Sequence, residues 1–142
     1  MDKPAETLRI TRVVDADKQR VFKAWTDPAQ VKKWWKLGEG WTTPAVEVDL
    51  KVGGKISLGN APSGGGLMVV TGEFLQIDAP DKLVYTMRFP GALPEESLVT
   101  VEFKDLGGQT EIIITQKMSE AMLDNAVAGW NAALDGLSNL FR

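Results

Sequence analysis

Residues 123–141 read LDNAVAGWNAALDGLSNLF, and their apolar side chains fall into register: Leu123, Val127, Trp130, Leu134, Leu137 and Phe141, spaced four and three alternately. Ala126, Ala133 and Leu140 widen this seam into a stripe of helical width, which predicts an amphipathic helix with one face for a core. Ser119 fits as its cap, so the helix is expected to run about 22 residues and about 33 Å. That is long enough to cross a whole sheet.

Immediately upstream the hydrophobic period drops to two. Thr110–Met118 places Ile112, Ile114 and Gln116 on one face, Ser97–Lys104 does so for Val99, Val101 and Phe103, and Leu83–Phe89 for Leu83, Tyr85, Met87 and Phe89. Leu67–Asp78 reads as a long strand with a bulge or bend at Gly72. Val46, Val48 and Leu50 alternate with Glu47 and Asp49, and Gly53-Gly54 turns the chain into Lys55–Leu58. Gly59–Gly66 reads as a loop. Nearer the start, Thr7–Val14 alternates as a strand, Asp17 caps a helix over Lys18–Thr26, and Asp27-Pro28 opens a second short helix carrying Val31, Trp34 and Trp35.

A strand, two short helices, six strands and one long helix predict an α+β fold in a single domain over residues 1–142. Sequential hairpins make an antiparallel sheet, the bend at Gly72 curls it, and the only large partner for its apolar face is the C-terminal helix it wraps. A curled sheet and a straight rod do not touch everywhere, so a cavity is expected between them. Its expected walls are Val70, Phe74, Tyr85, Met87, Val101, Ile112, Ile114 and Trp130, with Gln116 on the same face and Trp35 or Trp41 near a mouth.

Several stretches together resemble the activator of heat-shock protein 90 ATPase homologue family, within the START and birch-pollen-allergen-like (SRPBCC) superfamily. They are residues 21–28 (VFKAWTDP), Trp34-Trp35, 49–54 (DLKVGG), Gly72-Glu73, 80–85 (PDKLVY), 99–103 (VTVEF), Thr110 and Gly129-Trp130, in order along nearly the whole chain. The resemblance implies the helix-grip architecture around an apolar cavity. Members of that family often carry histidine where Gln116 stands, so an imidazole has no role here. The chain is expected to lack the separate N-terminal domain of the co-chaperones that named the family, which weighs against chaperone activation.

Composition narrows the chemistry. The 142 residues include no cysteine and no histidine, which excludes thiolate and Ser-His-Asp nucleophiles, Cys- or His-based zinc sites and haem ligation by those residues. No metal and no cofactor is expected. Net charge is −3, although residues 1–36 hold nine Lys/Arg against five Asp/Glu. Such a balance disfavours nucleic acid as a partner. No signal segment and no membrane span is present, so the expected address is the cytoplasm.

Trp34-Trp35 beside Lys32, Lys33 and Lys36 has the makings of a stacking patch for single strands or RNA, yet a buried Trp, an amphipathic Trp and a solvated lysine face explain it better. Ser63-Gly64-Gly65-Gly66 lacks the Lys-Ser/Thr that must follow a phosphate-binding loop. Glu47, Asp49 and Glu73 fall opposite the apolar face, and Glu95-Glu96 sits in a loop, where carboxylates serve solubility. Tyr85 and Gln116 fall on the inner face, either satisfying each other or the backbone, or orienting a ligand. Met68 and Met87 offer adaptable walls. The reading that results is non-catalytic binding of a small hydrophobic or amphipathic molecule. The alternatives are a stress-related, co-chaperone-like protein contact and a cyclase- or hydrolase-like enzyme. A monomer or a homodimer is expected.

Overall fold

Two aspartates set the first helices. Over residues 6–36, 40–62, 66–88, 96–118 and 123–141, which the computed structural model describes, β1 (Glu6–Val14) leads to Asp17. Its carboxylate accepts from the Arg20 amide at 2.9 Å and opens α1 (Lys18–Thr26). Asp27 ends α1 and caps α2 (Pro28–Trp34), accepting from the Ala29 amide at 3.1 Å. Pro28 takes the first helical position, where a missing amide hydrogen costs nothing.

Six strands follow: β2 (Thr42–Val48), β3 (Lys55–Ala61), β4 (Met68–Asp78), β5 (Lys82–Arg88), β6 (Glu96–Asp105) and β7 (Thr110–Met118), then α3 (Leu123–Leu140). The sheet order is β1-β7-β6-β5-β4-β3-β2 and every pairing is antiparallel. Strands β2 to β7 therefore form a meander, and β1 returns to close its far side against β7. Among the described residues α3 has 18 residues, or about 27 Å. The expected cap at Ser119 and the face position of Phe89 lie outside the described residues.

Two expectations about glycine need correction. β3 does not stop at Leu58 but continues through Gly59, Asn60 and Ala61, with Gly59 opposite both Ala45 and Val69. A Cβ on Gly59 would come within 3.1 Å of the Ala45 Cβ, so here glycine marks close strand packing, not a loop. The break in the β4–β5 register falls between Phe74 and Gln76 rather than at Gly72. Gly72 instead lies against the β5 backbone, where a Cβ would sit 2.0 Å from the Thr86 carbonyl oxygen.

The inner face of the sheet carries Leu83, Tyr85 and Met87, Val99, Val101 and Phe103, and Ile112, Ile114 and Gln116, all buried. α3 lays Trp130, Ala133, Leu134 and Leu137 into the core. α1 brings Phe22 and Trp25 edge-on to Phe103, both at 5.7 Å. Arg12 of β1 donates to the Asp135 carboxylate at 2.8 Å and ties the edge strand to α3. Glu47 and Asp49 are exposed, and Glu73 accepts from Lys55 Nζ at 2.6 Å.

Candidate functional site

Four of the five tryptophans meet where the three helices converge on the sheet. Trp25 tilts against Trp34 at 4.9 Å and stacks on Trp130 at 6.2 Å, while Trp35 meets Trp34 at 5.7 Å and Trp130 at 5.5 Å, edge to face. An indole buries a large apolar body only if its N–H finds an acceptor. Trp34 donates to the Ala24 carbonyl at 2.7 Å, Trp35 to Asn60 Oδ1 at 3.0 Å, Trp130 to Gln116 Oε1 at 2.7 Å and Trp25 to the Tyr85 hydroxyl oxygen at 3.3 Å. Lys32 and Lys33 on α2 point to solvent while Trp34 and Trp35 are buried. That is the arrangement expected of a helix with a solvated lysine face.

Beside this cluster, between α2 and strands β3–β5, lies a cavity of about 30 Å³. That is room for one water molecule. Its deep walls are Trp25, Val31, Trp34, Trp35, Leu58, Val70, Phe74, Tyr85 and Met87, and its rim is formed by the half-buried Val48 and Ile56 and the exposed Thr71. Phe74 and Tyr85 are cross-strand partners, their rings edge to face at 5.9 Å.

The structure divides the expected site residues. Trp35, Val70, Phe74, Tyr85 and Met87 come together around the cavity. Val101, Ile112 and Ile114 have no exposed surface and form the core beneath the helices. Trp130 and Gln116 bond each other, and Gln116 Nε2 donates to Ser97 Oγ at 2.6 Å. Trp41 is half-buried just before β2 and does not line the cavity. Among the described residues this cavity lies against α2 and strands β3–β5, beside the stacked Trp25 and Trp130 rings.

Sequence reasoning missed Trp25, Leu58 and the rim pair Val48–Ile56, which are partners across β2 and β3. It also missed Asn60, fully buried, whose Nδ2 donates to the Leu58 and Met68 carbonyls while its Oδ1 holds Trp35. The signal available for Asn60 was its two-residue spacing from Leu58.

Among the described residues Tyr85 is the sole ionisable side chain on the cavity wall. Burial pushes its hydroxyl well above the usual phenol range, and the bond from Trp25 offsets this only in part. It is a neutral phenol at physiological pH. Every buried side-chain nitrogen and oxygen among the described residues has a hydrogen-bond partner. No group of three or more metal-ligating side chains occurs among them, and no helix among them is long and apolar enough to cross a membrane. Among the described residues a wide depression at the β4–β5 and β6–β7 turns is lined by Lys18, Asp78, Asp81, Lys82, Glu102, Phe103, Lys104 and Asp105, and Lys18 pairs with Asp81 there.

Solved structures of similar chains share this fold. A crystallised protein from Chromobacterium violaceum is 28% identical, with 95% of this chain and 96% of that one covered and a TM-score of 0.85. A protein from Arthrobacter aurescens solved by NMR is 26% identical, covering 96% and 87% respectively, with a TM-score of 0.83. One from Micromonospora echinospora is 26% identical over 96% of this chain and 76% of that one, with a TM-score of 0.73. Comparison with curated proteins finds no match. The family described as Activator of Hsp90 ATPase homolog 1-like protein matches residues 15–142, from the end of β1 through α3. The chain belongs to that family.

Proposed function

We propose that this domain binds a small apolar or amphipathic molecule, without catalysis, in the space between α2 and strands β3–β5. One observation carries the reading: a wall of indole, aliphatic and thioether side chains, its indole N–H groups already satisfied, that reaches solvent at Val48 and Ile56. Apolar burial supplies the affinity, at about 25 cal/mol per Å² removed from water. The unbranched Met87 side chain adapts the wall, since a guest larger than one water has to displace it. A neutral phenol as the only ionisable group among the described lining residues suits binding better than proton transfer.

The neutral fluorescent probe N-phenyl-1-naphthylamine tests this. Saturable binding to the wild type is expected, weakened at least tenfold by Val48→Trp, which places a large side chain across the rim without disturbing the deep wall. Absence of saturation, or equal affinity for Val48→Trp, would end the proposal.

The family description favours a second reading, contact with a chaperone of the Hsp90 class. The exposed Lys32 and Lys33 on α2 suit an acidic protein surface. In that case stimulation of the chaperone's ATPase is expected to disappear in Lys32→Glu/Lys33→Glu and to survive Val48→Trp. No stimulation by the wild type would remove this reading.

A further inference from the structure

The Tyr85 hydroxyl is only half used. Its oxygen accepts from Trp25 Nε1 at 3.3 Å, but among the described residues nothing accepts its proton. Tyr85 is buried, 5% exposed, and lines the cavity. The other buried donors there are committed: Trp25 to Tyr85 itself, Trp34 to Ala24 and Trp35 to Asn60. A buried donor left without an acceptor is costly, so this proton needs a partner that the chain does not provide. The 30 Å³ beside it is room for one oxygen atom of water.

We infer that Tyr85 donates its hydroxyl proton to an uncharged oxygen acceptor on the bound molecule, so the ligand is an apolar body bearing a carbonyl-type oxygen at its buried end. This rests on the binding reading above and adds the ligand's chemical class. A carboxylate does not fit, because no cation lines the cavity among the described residues and one donor is too few to compensate a buried charge. A carbonyl oxygen accepts without bringing a proton that needs a further partner.

The experiment compares acetophenone with ethylbenzene, a pair alike in size and shape that differ in the carbonyl oxygen. Each displaces N-phenyl-1-naphthylamine from the wild type, Tyr85→Phe and Trp25→Phe. The ratio of the two affinities is expected to favour the ketone in the wild type and to fall about fivefold in Tyr85→Phe, the size of one net hydrogen bond. Trp25→Phe, which removes the indole but leaves the phenol proton, is expected to keep the preference. The carbonyl stretch of bound acetophenone is expected at lower wavenumber in the wild type than in Tyr85→Phe. An unchanged ratio in Tyr85→Phe, or an equal loss in both variants, overturns the inference while leaving apolar binding intact. Failure of the naphthylamine to bind the wild type at all overturns the binding reading itself, and the inference with it.

Discussion

Tyr85 is the one tyrosine in the chain, so a phenolate titration reports on this residue alone. Burial raises its folded-state pKa above the unfolded value of about 10. Below pH 10 both states hold the proton and the group adds no pH dependence. Above it the unfolded chain releases the proton and the folded chain keeps it, so stability falls as pH rises towards the folded pKa. The expected slope is about 1.4 kcal/mol per pH unit, on top of whatever the lysines contribute. Denaturation midpoints at pH 9 to 11.5 check this, and Tyr85→Phe is expected to lack that component. A Tyr85→Phe curve as steep as the wild type's would contradict the burial argument. Residues such as Tyr85 and Val70 were legible in the sequence because strand alternation assigns each side chain a face. Asn60 was not, since Gly-Asn-Ala-Pro is turn chemistry by composition, and only pairing with β2 and β4 pulls it into a strand.

At the scale of elements, α3 holds two glycines with opposite roles. Gly136 lies where α3 crosses the end of α2, and a Cβ there would come within 2.2 Å of the Trp34 carbonyl oxygen. Gly129, seven residues earlier, has no atom within 4 Å of its would-be Cβ. Gly136→Ala is therefore expected to push α3 away from α2 and cost about 1–3 kcal/mol. Gly129→Ala is expected to stabilise by about 0.5–1 kcal/mol, because alanine restricts the unfolded chain and is the better helix former. Urea denaturation of the two single variants measures both signs, and the same sign for both would contradict the crossing geometry. The helix itself was readable from its stripe of apolar residues. Its contact with α2 was not, because an amphipathic pattern tells which face is buried and not what buries it.

For the whole molecule, the element order and the meander of β2 to β7 followed from periodicity, from two aspartate caps and from the rule that consecutive antiparallel strands pair. The helix-grip architecture was implied by the family resemblance, and the return of β1 to β7 was in neither. Where the free space lies depended on a different kind of information. The sequence identifies Trp25 and Trp130 as apolar, but only three-dimensional packing reveals that they stack at 6.2 Å and that a small opening lies under α2. That same stack has a spectroscopic consequence. Trp25, Trp34, Trp35 and Trp130 sit between 4.9 and 6.2 Å from their neighbours, close enough for excitation to hop among the rings before a photon is emitted. Whichever of these indoles absorbs, the one with the lowest-lying excited state dominates the emitted light, and the intrinsic ultraviolet signal reads the junction of three helices as one chromophore.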